Sequence, residues 1–146
     1  MTTPESDMSS VVMEREMPYP AEKIWRALTE GQLIKQWLLD NDFEPVVGRK
    51  FKFRATPMPQ WDGVVSSEVL VVEQHRKLSY RWDLGDEASG FKTTVHWTLT
   101  PTERGTLLRM EHSGFRPDQG ANYQGAKYGW QKFINGLEKV LTQMEG

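Results

Sequence analysis

The sequence feature that most constrains the fold is a long amphipathic stretch at residues 122–144. With about 100° of rotation per residue, its apolar side chains fall on one arc of a helical wheel, and its charged and amide side chains fall on the other. The apolar arc consists of Tyr123, Ala126, Trp130, Phe133, Leu137, Val140, Leu141 and Met144. The pattern predicts one long helix whose apolar stripe must be covered by another layer of the protein.

Much of the remaining chain alternates between apolar and polar residues in short runs, as half-buried strands do. One run lies at residues 11–17, and others lie near residues 51–53, 64–72, 78–82, 94–99 and 107–110. Turn sequences such as Asp62-Gly63 separate the later runs. Short loops between alternating strands favour an antiparallel sheet with one covered face.

Two short stretches with helical spacing follow the first run. Ile24, Trp25 and Leu28 belong to the first stretch, and Thr29 is predicted to be the N-cap of the second, which ends near Leu38. Residues 41–45 are predicted to form a loop. We therefore predict an α+β fold with a curved six-stranded antiparallel sheet wrapped around a long C-terminal helix, and with two short helices after strand 1.

Length and composition narrow the classes of function. The 146 residues suffice for one domain, which we place at residues 11–146 behind a disordered tail of residues 1–10. The chain contains no cysteine, which excludes disulfides and thiolate chemistry. A net charge of −2 argues against a nucleic-acid partner, because phosphate contacts need a basic surface.

No apolar run approaches about 20 residues, and the polar N-terminus does not resemble a signal peptide, so we expect no membrane span and a cytoplasmic location.

Motifs for catalysis and metal binding are missing from the sequence. It carries no Gly-x-Ser-x-Gly motif and no glycine-rich phosphate loop. Its three histidines, His75, His96 and His112, do not have the spacing of metal ligands. We therefore predict no catalytic residues, no metal and no cofactor.

Several stretches of the chain resemble one known superfamily. They are residues 20–29 (PAEKIWRALT), 37–38 (WL), 47–53 (VGRKFKF), 78–82 (LSYRW), 105–110 (GTLLRM), 112–115 (HSGF) and 128–130 (YGW). In this order they resemble the SRPBCC or START-like superfamily with its helix-grip fold. Within it, the chain is similar to the family of the C-terminal domain of the heat-shock-protein-90 ATPase activator. The resemblance covers about residues 11–141 and is specific for the fold, not for a chemistry.

The resemblance implies a function in ligand binding. In this superfamily the space between the sheet and the long helix is often a cavity for an apolar or amphipathic small molecule. We therefore expect a binding protein for a small hydrophobic, amphipathic or aromatic ligand. The residues expected to contact it are Arg15, Trp37, Phe53, Tyr80, Trp82, Trp97, Met110, His112, Trp130 and Phe133.

Some of the candidate residues have two interpretations. Arg15 either anchors an anionic group of the ligand, or is a snorkelling side chain or part of a buried ion pair at the end of the sheet, since a charge on the apolar side of a strand needs a partner or water. His112 either contacts the polar end of a ligand or is a buried histidine bonded to the backbone or to Ser113. Gly125, Gly129 and Gly136 form a stripe beside the apolar arc, which indicates either a close approach of another element or space left for a ligand.

Two other functions remain open from the sequence. An enzyme of the cyclase, dehydratase or hydrolase kind would use His112 or Tyr80 as an acid or base in the same cavity. A co-chaperone-like module would instead use an exposed surface to contact a chaperone partner. The sequence is also compatible with a homodimer.

Overall fold

The sheet and helices follow the predicted order along the chain. The structure is a computed structural model, and it describes residues 9–57, 59, 62–84, 91–116 and 120–144. The strands are β1 (Ser9–Met17), β2 (Asp40–Asn41), β3 (Lys50–Arg54), β4 (Val64–Glu73), β5 (Lys77–Leu84), β6 (Phe91–Pro101) and β7 (Thr106–Phe115). The helices are α1 (Ala21–Thr29), α2 (Gly31–Trp37) and α3 (Gly120–Gln143). This arrangement confirms the predicted α+β helix-grip fold.

One antiparallel sheet contains all the strands, in the spatial order β1-β7-β6-β5-β4-β3-β2. Strands adjacent in the chain are adjacent in the sheet, except that β1 pairs with β7. This pairing places the first strand beside the last strand. It also leaves the other side of β1 as an edge of the sheet.

In the described part of the chain the sheet has seven strands, not the predicted six. The extra strand is β2, a two-residue pairing with the end of β3 in a stretch that we predicted to be a loop. The Asn41 side chain fixes the path of this stretch, because its Nδ2 donates to the carbonyl oxygens of Gly31 and Leu39 and its Oδ1 accepts the N–H of Phe43. Two residues are too few to show an alternation, so the pattern could not indicate this strand.

Two element boundaries also differ from the predictions. β1 begins at Ser9, two residues before the predicted start of the domain, and residues 1–8 of the predicted tail lie outside the described residues. Thr29 is the last residue of α1 and not an N-cap, because its Oγ1 donates to the carbonyl oxygen of Trp25 one turn earlier (2.7 Å). Glu30 occupies the N-cap position of α2.

The apolar stripe of α3 packs against the inner face of the sheet. Trp130 and Leu137 are buried as predicted, and the Trp130 ring contacts Trp97 edge to face with centroids 5.7 Å apart. Phe133 was expected to be buried and is only half-buried; Ile134 is buried in its place. The reason is geometric, since residues 130, 134, 137 and 141 follow one line along the helix and residue 133 lies to its side.

We predict that Leu137→Ala lowers the free energy of unfolding by about 2–5 kcal/mol, because Leu137 is fully buried and its truncation leaves a cavity under α3. Urea unfolding followed by far-UV circular dichroism measures the loss. Lys139→Ala, at an exposed position of the same helix, is the matched control and should change stability by less than about 0.5 kcal/mol. A comparably small loss for Leu137→Ala would contradict the packing of α3 on the sheet.

Candidate ligand-binding site

Nine of the ten predicted site residues lie together on the inner side of the sheet. They are Trp37, Phe53, Tyr80, Trp82, Trp97, Met110, His112, Trp130 and Phe133. Except for half-buried Phe133, each is at most 8% exposed. We call this set the aromatic cluster.

The rings of the aromatic cluster are in direct contact with one another. The ring centroids of Trp82 lie 5.0 Å from Phe53 and 5.4 Å from Trp130, and those of Trp37 and Trp97 lie 5.6 Å apart. Tilted and edge-to-face pairs of this kind stabilise a fold by about 0.5–1.5 kcal/mol each beyond their burial. A ligand among these rings would have to displace such contacts, and contact of the cluster with a ligand stays a prediction.

A chain of hydrogen bonds runs through the polar atoms of the aromatic cluster. Trp130 Nε1 donates to His112 Nδ1 (2.9 Å), His112 Nε2 lies 2.6 Å from Thr93 Oγ1, and Thr93 Oγ1 donates to the carbonyl oxygen of Trp82 (2.6 Å). An indole nitrogen can only donate, so Nδ1 of His112 must be the acceptor and Nε2 must carry the proton. Both ring nitrogens of His112 are therefore bonded within the fold, but their partners are Trp130 and Thr93 and not the predicted backbone or Ser113. Contact of His112 with a ligand stays a prediction.

The two candidate acid–base groups of the cluster are held neutral. Burial lowers the pKa of His112 from 6.5 to about 3, and its protonation would also place a proton against the Trp130 N–H. Burial raises the pKa of the Tyr80 hydroxyl above its usual range, although the hydrogen bond that it accepts from Trp97 Nε1 (2.9 Å) acts in the opposite direction. Neither group changes its charge near neutral pH, so neither is suited to proton transfer there.

A different part of the space between the sheet and α3 is open. A cavity of about 460 Å³, which we call the β1–α3 cavity, lies between the edge strand and the helix. Residues 10–15 of β1 form one wall, Leu108 of β7 also lines the cavity, and the α3 wall consists of Tyr123, Lys127, Gln131 and Ile134. Consecutive residues of β1 line it because the unpaired edge of the strand borders the cavity. The four helix residues lie on one stripe, at successive spacings of four, four and three.

Arg15 is the one predicted site residue that lines the β1–α3 cavity. Its Nη1 donates to Asn135 Oδ1 (2.9 Å) and to Glu138 Oε1 (2.5 Å), so it joins β1 to α3. Its side chain is 35% exposed. Arg15 thus forms an ion pair, but the pair is partly exposed and not buried as predicted. Its role as an anchor for a ligand remains a prediction.

The glycine stripe of α3 divides into two parts. At Gly136 an added Cβ would meet Trp37 of α2 at ordinary contact distance, so the helices approach closely here. At Gly125 and Gly129 an added Cβ would have no neighbour within 4 Å. Close approach therefore explains Gly136, while Gly125 and Gly129 face open space and do not line the β1–α3 cavity, so that space for a ligand beside them stays a prediction.

Sequence reasoning missed the α3 wall of the cavity. Lys127 and Gln131 fall on the polar arc of the helical wheel, where a solvated position is the ordinary expectation. The spacing of the residues from Tyr123 to Ile134 places them on one stripe of the helix. It predicts a cavity wall only once β1 is known to lie beside that stripe. The position of β1 beside α3 follows from the topology of the whole domain, and no short stretch of sequence predicts it.

Within the described ranges, no three histidine or carboxylate side chains come together as a metal site would require. Those ranges also contain no helix that is long and apolar enough to cross a bilayer.

The comparisons with known proteins identify the family. The model for the family described as Activator of Hsp90 ATPase homolog 1-like protein matches residues 18–142, from the end of β1 to the end of α3. This chain belongs to that family. No curated protein gives a significant match.

Solved structures agree with the family and with the fold. The protein MLL2253 from Mesorhizobium loti is 47% identical over 94% of this chain and 100% of that chain, with a TM-score of 0.87. DynU16, from the dynemicin biosynthetic locus, is 27% identical over 93% of this chain and 47% of that chain, with a TM-score of 0.73. CalU16 from Micromonospora echinospora is 20% identical over 97% of this chain and 81% of that chain, with a TM-score of 0.76, and this likeness shows the fold alone.

We predict that the free energy of unfolding decreases as the pH is lowered, because of His112. The unfolded state binds a proton near pH 6.5 and the folded state only near pH 3, so the stability present above pH 6.5 is lost as the pH falls toward 3. The slope of the unfolding free energy against pH approaches about 1.4 kcal/mol per pH unit below pH 6.5. The loss between pH 6.5 and 5 is therefore about 2 kcal/mol. Urea unfolding at several pH values measures it.

The control for this prediction is His112→Gln, which removes the imidazole. Its stability should depend less on pH than that of the wild type, whatever its absolute value. His96, whose pKa burial also lowers, is present in both proteins and cancels in the comparison. Equal slopes, or an NMR titration of the His112 ring near pH 6.5, would show that the histidine is not sealed in the fold.

Proposed function

We propose that this protein binds a small amphipathic molecule between its sheet and its C-terminal helix. The observation that carries the proposal is the β1–α3 cavity of about 460 Å³. Ligand pockets typically measure about 300–1,000 Å³ and combine apolar walls with a few polar groups. This cavity has the same character, with Val11, Leu108 and Ile134 beside Arg15 and Lys127.

The aromatic cluster has a supporting role in this proposal. Ile134 and Leu108 line the cavity and are also buried members of the core, so the floor of the site is part of the packed interior. Trp130, a member of the aromatic cluster, lies one turn before Ile134 on α3 and contacts the rings of Trp82 and Trp97. A floor held in this way does not collapse into the cavity, which favours a preformed site.

Binding without catalysis is the form of the proposal that the chemistry supports. The groups considered for an enzyme, His112 and Tyr80, stay neutral and bonded inside the core. Neither of them lines the β1–α3 cavity. The similarity to DynU16, a protein of the dynemicin biosynthetic locus, supports a small organic molecule as the ligand.

We predict that a short amphiphile perturbs the methyl groups that line the β1–α3 cavity. Octanoate and 1-octanol serve as probes, and methyl NMR of the Val, Leu, Ile and Met side chains follows their binding. The largest shifts should occur at Val11, Met13, Leu108 and Ile134. Shifts at these positions with either probe support the proposed function.

A blocking variant and a matched control test whether the cavity is the site. Gln131→Trp fills the cavity from an exposed position of α3, and we expect it to weaken binding about tenfold or more, equivalent to about 1.4 kcal/mol. Lys132→Trp adds the same side chain at the next exposed position, which does not line the cavity, and should leave binding unchanged. Shifts confined to the aromatic cluster, or no saturable shifts with either probe, would refute this site.

A further inference from the structure

The guanidinium of Arg15 uses only part of its hydrogen-bonding capacity. Both of its bonds, to Asn135 and to Glu138, are made by Nη1. Nε and Nη2 make no hydrogen bond with any described residue, so three N–H groups have no protein acceptor there. A guanidinium has five donors in a rigid planar arrangement, and this one is fixed through a single nitrogen.

The unused nitrogens are the pair that a carboxylate recognises best. The N–H groups of Nε and Nη2 lie side by side and point the same way, so they can donate in parallel to the two oxygens of one carboxylate. The existing bonds to Nη1 hold the plane of the guanidinium and leave this edge of it unoccupied. Preorganisation of this kind reduces the entropy lost when a ligand binds.

The surroundings of Arg15 define the rest of the ligand. Val11, Met13 and Ile134 line the same cavity, and they offer an apolar surface to a hydrocarbon or ring body. Lys127, on the same α3 wall, lies about 12 Å along the helix axis from Asn135 and is exposed. The apolar surface and the Arg15 side chain therefore line one cavity.

From this arrangement we propose that the ligand of the β1–α3 cavity is an amphipathic carboxylic acid, whose carboxylate is bound bidentately by Nε and Nη2 of Arg15. The inference rests on the proposed function and adds the chemical class of the ligand. Glu138 opposes this binding, because its carboxylate lies beside the same guanidinium and repels a second anion. Arg15 is thus both a structural link between β1 and α3 and the recognition element for the acid.

The experiment compares octanoate with 1-octanol, which has the same chain length and no charge, by isothermal titration calorimetry. The wild type should bind octanoate about 10- to 100-fold more tightly than 1-octanol, the range expected for hydrogen bonds to a charged group. Arg15→Gln should weaken octanoate binding by about that factor and so remove the preference over 1-octanol. Lys132→Gln, which removes an exposed cation of α3 that does not line the cavity, should change the octanoate affinity by less than about threefold.

Two further variants keep the test decisive if Arg15→Gln proves unstable. Arg15→Lys retains the charge and a partner for Glu138 but lacks the planar pair of donors, so it should lose most of the octanoate preference. Glu138→Gln removes the opposing charge and should strengthen octanoate binding about threefold or more without changing that of 1-octanol. An unchanged octanoate affinity in this variant would contradict a carboxylate bound beside Arg15.

The outcomes separate this inference from the proposed function. Equal affinities for octanoate and 1-octanol, with methyl shifts in the cavity, would overturn the carboxylate inference and leave the binding function intact. A preference for octanoate that survives both Arg15 variants would also overturn it. Absence of binding by both probes would refute the proposed function together with the inference.

Discussion

The contact between α3 and the inner face of the sheet is the interaction on which the rest of the structure depends. The helix contributes a line of buried side chains that includes Trp130 and Leu137, and the sheet contributes the facing surface around Trp97. Each layer alone would expose a wide apolar surface to water. Burial of one large side chain contributes about 1.5–3 kcal/mol, so the layers stabilise each other through many such contributions. α1 and α2 complete the core on the α3 side of the sheet.

The interior of this contact is aromatic, yet it contains polar atoms that must be satisfied. The bonds from Trp130 through His112 and Thr93 to the backbone of Trp82 satisfy them in one ordered series. Because an indole only donates, a single proton arrangement fits the series, and the histidine has one tautomer. The polar atoms thereby specify how the rings are arranged without providing a reactive group.

The sequence predicted what depends on periodicity and missed what depends on tertiary neighbours. Alternation and helical spacing were sufficient for the main strands, for α3 and for the buried position of Leu137. They failed for β2, which is held by the Asn41 side chain, and for Phe133, since two residues 100° apart on one face are equally apolar in the pattern. The sequence predicted that Arg15 is a charged residue on the apolar side of β1. It could not predict the partner, because Glu138 lies more than 100 residues away in the chain.

The two long walls of the β1–α3 cavity come from opposite ends of the chain. β1 pairs with β7 over a separation of about 100 residues, and this closure must await the synthesis and folding of most of the domain. The amide groups of an edge strand exchange with solvent through local openings of the native state. A molecule held between β1 and α3 would bind only the closed form and would favour it by mass action. Occupancy of the cavity would therefore be reported by slower amide hydrogen exchange in β1, which links the last step of folding to the presence of a ligand.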